Sequence, residues 1–234
     1  LASRDDIAEF APEPLQADDV AHWREDALKS ANAVLDTLLA RRRELPESAL
    51  GLLDDVMARR ESLPNLLLDL FPDSLQLSKI RHHGDFHLGQ ILIVKDDISI
   101  IDFEGEPRRA IEERRRKGPA ARDVAGLIRS IDYSATAALR RALNSAPDPQ
   151  DRIARALDRW RDSAVGAFLG TYRQTLTDAR LWPASHDDAD RLLDFFLLQK
   201  VFYEIGYELA HRPDWVWVPL AGARRILHAE RAAR

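Results

Sequence analysis

Arg81-His82-His83-Gly84-Asp85-Phe86-His87-Leu88-Gly89-Gln90 runs directly into Ile91-Leu92-Ile93-Val94, then Asp96-Asp97, then Ile98-Ser99-Ile100-Ile101-Asp102-Phe103-Glu104-Gly105-Glu106-Pro107. The two branched apolar runs read as short strands, and Asp96-Asp97 is polar enough to turn one back on the other as a hairpin. Leu75, Leu77 and Ile80 lead in with a strand-like texture. This is the only convincing β region, and it carries dense polar residues at both ends. A carboxylate buried without a partner is costly, so that density calls for a reason.

Helical periodicity dominates outside this region. Val20, Trp23, Ala27, Leu28, Ala31, Val34, Leu35, Leu38 and Leu39 recur at three- and four-residue spacing and predict one helix over 16–44, ended by Pro46. Shorter helices are expected over 47–60 and 63–70, with Pro64 in the first turn of the second. Residues 103–119 read as a loop punctuated by Gly105, Pro107, Gly118 and Pro119, with Arg114 to Lys117 as a solvated basic run. Helices follow near 120–144, 150–178, 187–211 and 217–232. The third is rich enough in Leu and Phe to be buried, and Trp215 and Trp217 read as core.

The chain has 234 residues, a formal net charge of -5, 45% hydrophobic residues and no cysteine. That mixture supports a packed core. It excludes disulfides, thiolate metal sites and a cysteine nucleophile. Mild acidity argues against a nucleic-acid partner. No apolar run approaches the ~20 residues that span a bilayer, so no membrane partner is expected. The opening Leu1-Ala2-Ser3-Arg4-Asp5-Asp6 is no secretory signal, and the single Met is Met57. We therefore expect a cytoplasmic protein whose chain starts inside a longer one.

The polar spacing points to phosphoryl transfer. In protein kinases a His-x-Asp is followed five residues later by a metal-binding Asn, and a second metal-binding Asp opens an Asp-Phe-Gly turn. Here Asp85 follows His83, Gln90 lies five residues beyond Asp85, and Asp102 opens Asp-Phe-Glu-Gly. Gln offers the amide oxygen of Asn one methylene farther out, which suits a hard cation. Glu104 is a further candidate oxygen ligand. Turn closure and helix capping are the competing reading of these aspartates. The joint spacing around both strands favours catalysis. A metal cluster of His82, His83 and His87 is disfavoured, because adjacent strand residues point to opposite faces. His83 reads instead as an anchor of the loop.

His-Gly-Asp-Phe-His-Leu-Gly-Gln followed by Ile-Asp-Phe-Glu-Gly-Glu-Pro resembles the maltokinases, of the aminoglycoside-phosphotransferase-like branch of the kinase fold. Ala121 to Ser130, Tyr203 to Glu208 and Arg212-Pro213-Asp214-Trp215 extend the resemblance, which covers about residues 75–225. It implies transfer of the ATP γ-phosphoryl group to maltose, giving maltose 1-phosphate. It implies Asp85 as base, Gln90, Asp102 and Glu104 as Mg2+ ligands, and His87, Tyr203 and Tyr207 as sugar contacts. Asp123 would hydrogen-bond the catalytic loop, alongside the favourable placing of any carboxylate at a helix N-terminus. Tyr203 and Tyr207 share a helix face, and core packing explains them equally well.

One departure is large. Before Gly84 the only glycine is Gly51, and the upstream lysines are Lys29 and Lys79, so the phosphate-covering loop and its strand Lys are missing. The expected fold is therefore mainly α with a small β-hairpin region, a protein-kinase-like C-lobe without its N-terminal nucleotide lobe. Residues 1–74 would form a helical lead-in, 75–119 the catalytic and metal loops, and 120–234 a helical acceptor-site subdomain. Implied partners are maltose, the N-terminal kinase lobe that ATP binding requires and, in fused members, a trehalose synthase domain. Two alternatives stay open: a catalytically silent carbohydrate-binding fragment, and a kinase of the same fold acting on another small-molecule alcohol.

Overall fold

One long helix and one short hairpin bracket the polar loop over residues 81–90. The computed structural model describes residues 6–71, 75–106, 109–145, 150–176 and 180–228. In chain order the elements are β1 (Glu13–Pro14), α1 (Ala17–Ala40), α2 (Glu47–Met57), α3 (Leu63–Leu70), β2 (Ser78–Lys79), β3 (Ile91–Val94), β4 (Asp97–Ile100), α4 (Ile111–Arg114), α5 (Ala121–Ser145), α6 (Gln150–Thr175), α7 (His186–His211) and α8 (Trp217–His228). They gather into two compact units, one from residues 1–15 and 76–189, the other from 16–75 and 190–234.

In the first unit β3 and β4 pair antiparallel, with Ile91 opposite Ile100 and Val94 opposite Asp97. Lys95 makes the reversal at φ 58°, and Asp97 Oδ1 accepts from the Ile98 N–H at 2.7 Å. A second two-stranded sheet pairs β1 with β2, Glu13 opposite Lys79. Lys117 Nζ ties it down by donating to the carbonyls of Ala8 and Ala11 at 2.6 and 2.7 Å. The α5 helix packs on α6 and buries Val124, Ala125, Leu127, Ile128 and Ile131. Its Arg129–Asp132 ion pair is buried, and Arg161 of α6 approaches the same carboxylate at 3.8 Å.

The second unit is helical. Its core holds Leu35, Leu38, Leu53, Leu63, Phe71, Phe195, Phe196 and Phe202, and α2 packs against α8. Phe71 meets Phe195 edge to face at 5.1 Å and stacks on Trp23 at 5.9 Å. Arg212 pairs with buried Glu208 through two hydrogen bonds of 3.0 and 2.6 Å. Among the described residues no helix is long and apolar enough to cross a membrane.

These observations correct the expected fold class. The chain is mainly helical with two small sheets, rather than a kinase-like C-lobe with one hairpin region. The second sheet escaped notice because Glu13–Pro14 is two residues long and shows no alternation. Its partner is more than sixty residues away in sequence. The long first helix also stops at Ala40, and a 3-10 turn over Arg42–Glu44 takes its place. Helix α3 has the bounds its sequence predicts.

Candidate active site

The loop between β2 and β3 is held from α5. Asp123, in the first turn of that helix, accepts the His83 N–H on Oδ2 at 2.6 Å and the Gly84 N–H on Oδ1 at 2.9 Å. Two donors on one ionised carboxylate make strong, charge-assisted hydrogen bonds. Gly126 lies one turn on, and a Cβ there would sit 2.6 Å from the Phe86 carbonyl oxygen. Only glycine lets helix and loop approach so closely. One further turn along, Ser130 Oγ accepts the Leu88 N–H at 3.1 Å. Residues 123, 126 and 130 share a helix face, so a single rigid element indexes the loop at three points.

The loop is in turn tied to the end of the hairpin. His83, 3% exposed, places Nε2 at 2.8 Å from the Ile101 carbonyl oxygen, which can only accept. Nε2 therefore carries the proton, and Nδ1 accepts from the Asp85 N–H at 3.4 Å. The ring packs against Phe86 and Phe103 at 5.4 and 4.9 Å. Gly84 and Asp102 both have positive φ, 86° and 63°. For Asp102 that backbone is uncommon, and it turns the side chain at the strand end without a glycine.

Asp102 Oδ2 accepts from Gln90 Nε2 at 2.9 Å. The Gln90 amide also lies 3.4 Å from His87 Nε2, which is 3.9 Å from Asp85 Oδ2. Asp85, His87, Gln90 and Asp102 thus form one polar array, three members from the loop and its 3-10 turn and one from beyond the hairpin. Glu104 is exposed and makes no hydrogen bond or ion pair among the described residues. Among the described residues no group of three or more His, Cys, Asp or Glu gathers as a metal cluster. Here the Gln90 amide nitrogen faces Asp102 Oδ2, and a half-turn of the carboxamide would set its oxygen beside the carboxylate instead. That hard, oxygen-only pair suits Mg2+, which takes one or two protein oxygens and fills its shell with water and phosphate.

Two groups that feel the Asp123 charge have displaced titrations. Burial and then the nearby Arg122 guanidinium lower the His82 imidazole to about 4. Burial, reinforced by the Asp123 carboxylate, pushes the Tyr172 phenol up to about 12. His82 is neutral in the folded chain while an unfolded imidazole titrates near ~6.5. The unfolded state then binds more protons between these values, so stability falls as pH drops from about 6.5 to about 4. We expect His82→Gln to flatten that segment of the stability curve, by at most about 3 kcal/mol. Urea unfolding at stepped pH reads it, and an unchanged slope would clear His82 of the effect.

Tyr203 and Tyr207 lie on α7 in the second unit. The Tyr203 ring faces Lys200 Nζ at 4.9 Å, and Tyr207 stacks on His211 at 4.3 Å. Both are half-buried. Sequence reasoning gave no role to Gly126 or Ser130. Their spacing from Asp123 was a usable signal, because three polar or small residues on one face of an otherwise apolar helix need a neighbour.

No family model matches the chain. It is 30% identical over 223 residues to the glucosamine kinase of Mycolicibacterium smegmatis, covering 92% of this chain and 48% of that protein. It is 38% identical over 142 residues to the glucosamine kinase of Streptacidiphilus jiangxiensis, covering 58% of this chain and 29% of that one. A solved glucosamine kinase superposes with a TM-score of 0.70 at 30% identity, over 94% of this chain and 48% of its own. A second, in complex with glucosamine, ADP and inorganic phosphate, gives the same TM-score over 46% of its length. The chain spans about half the length, or less, of the relatives it matches.

These likenesses overturn the maltokinase resemblance, and with it maltose as the substrate partner. They also replace the kinase C-lobe as the description of the fold. The motifs misled for a physical reason. A base and two metal ligands answer to the phosphoryl group being moved, so they do not distinguish one acceptor sugar from another.

Proposed function

We propose that this chain is part of an ATP-dependent sugar kinase and that glucosamine is its acceptor. The observation that carries the reading is the array Asp85–His87–Gln90–Asp102, held in place by Asp123 through the loop backbone. The likeness to glucosamine kinases supports the acceptor. A sugar hydroxyl oxygen attacks the γ-phosphorus, forming a new O–P bond. The bond to the bridging oxygen of ADP breaks, and ADP leaves with that electron pair. The Asp85 carboxylate takes the hydroxyl proton. Gln90 and Asp102 would hold Mg2+, which neutralises charge developing on the phosphate oxygens.

His83 keeps the loop backbone and the Asp102 turn in register, so that base and ligands face a common space. Its buried ring makes that link without exposing a competing proton donor.

The test is acceptor-dependent ADP release by the full-length protein carrying this chain. Glucosamine is expected to support turnover at least tenfold above maltose, glucose or no sugar. Equal rates with all three sugars would overturn the acceptor. Glucosamine binding with no ADP release from any sugar would favour a silent carbohydrate-binding module.

A further inference from the structure

We infer that His87 is a positioning residue: it sets which end of the Gln90 carboxamide faces Asp102, and so tunes the affinity of that pair for a divalent cation. This rests on the kinase reading above and adds to it a control on the metal ligands that lies outside them. His87 Nδ1 accepts the Gly89 N–H at 3.0 Å. A neutral imidazole has one donor and one acceptor, so the proton sits on Nε2. The ring packs against Gly89, where a Cβ would lie 2.8 Å from its Cε1 and 2.9 Å from its Nδ1.

Nε2–H therefore lies toward the Gln90 amide nitrogen, with the Asp85 Oδ2 acceptor farther off at 3.9 Å. The atom at 3.4 Å is Gln90 Nε2, whose own hydrogen is given to Asp102 Oδ2 at 2.9 Å. Two N–H groups face each other, and the charge-assisted bond to Asp102 holds the amide there against that mismatch. A half-turn of the carboxamide exchanges its ends. Oε1 then accepts from His87 Nε2–H and lies beside the Asp102 carboxylate. Two oxygens side by side repel one another unless a cation lies between them. With no cation the amide nitrogen satisfies Asp102; with one, the amide oxygen is wanted instead. His87 favours the second orientation and penalises the first, so it lowers the cost of turning the ligand. Outer partners of this kind change metal affinity by about 10–100-fold.

The experiment is a Mn2+ titration of this chain, reading the free ion by electron paramagnetic resonance, for wild type, His87→Asn and His87→Gln. Asn keeps an oxygen to accept the Gly89 N–H but cannot reach Gln90; the longer Gln amide reaches farther. We expect His87→Asn to weaken Mn2+ binding about tenfold at an unchanged melting temperature, and His87→Gln to recover part of it. In wild type the Gln90 carboxamide 13C signal should shift on adding Mg2+, and in His87→Asn it should shift less at the same Mg2+. Mn2+ affinity within twofold of wild type in His87→Asn would sink the inference, as would a wild-type chain that binds no Mn2+. If His87→Asn fails to fold, the Gln variant decides alone: a Mg2+-induced Gln90 shift in it that is absent from wild type overturns the inference. Glucosamine-dependent ADP release is scored separately, so unchanged metal affinity in an active enzyme defeats this inference and leaves the kinase reading standing.

Discussion

Asp85→Asn in the full-length protein should lower kcat for glucosamine-dependent ADP release by about 10²–10⁴-fold, the range that general-base catalysis supplies. An amide has nearly the shape of a carboxylate but cannot take a proton at neutral pH. The substitution therefore removes the chemistry and keeps the space. Little else should change, because the clamp from α5 grips the backbone at His83 and Gly84 rather than the Asp85 side chain. The melting temperature should stay within a few degrees of wild type, and KM for glucosamine should move far less than kcat. Turnover close to wild type would take Asp85 out of the mechanism and leave the loop a structural turn.

Asp123→Ala should damage both folding and catalysis. Two backbone N–H groups lose one ionised acceptor, and each hydrogen bond to a charged group is worth about 1.5–3 kcal/mol. The expected loss of stability is about 3–6 kcal/mol if both bonds act independently, measured as a lower urea midpoint. Turnover should fall as well, since a misplacement of about 1 Å can cost about 100-fold. An optical signature separates this from generic damage. Removing the Asp123 charge should bring the Tyr172 phenol down from about 12 towards its ordinary value, seen as earlier tyrosinate absorbance in alkaline titration. Burial remains, so the fall is partial. A variant with wild-type stability and an unmoved tyrosine titration would show that the carboxylate does not hold the loop.

Much of the candidate loop was legible because its parts lie close in sequence and their spacing is set by local geometry. Asp85, Gln90 and Asp102 sit at the mouths of a hairpin whose two strands are written in Ile91–Val94 and Ile98–Ile101, and the structure pairs them one residue earlier on the second strand. Two residues after Asp102 is close in sequence, yet the left-handed turn at Asp102 sends the chain on with Glu104 exposed and unpaired among the described residues. The acceptor was not legible in the motif, because base and metal ligands answer to phosphate chemistry rather than to the sugar.

By itself the amino-acid sequence determined the helices and the hairpin, through the 3.6- and 2-residue periods of its apolar side chains, and singled out Asp85, Gln90 and Asp102 as candidates through short-range spacing. Tertiary structure alone decided the β1–β2 sheet, the interleaving of two units along one chain, the close approach of Gly126 to Phe86, and the Ser130 hydrogen bond to Leu88. Periodicity records only what a residue's own element requires. Contacts between residues forty or more apart depend on how elements pack, and no local pattern encodes that choice.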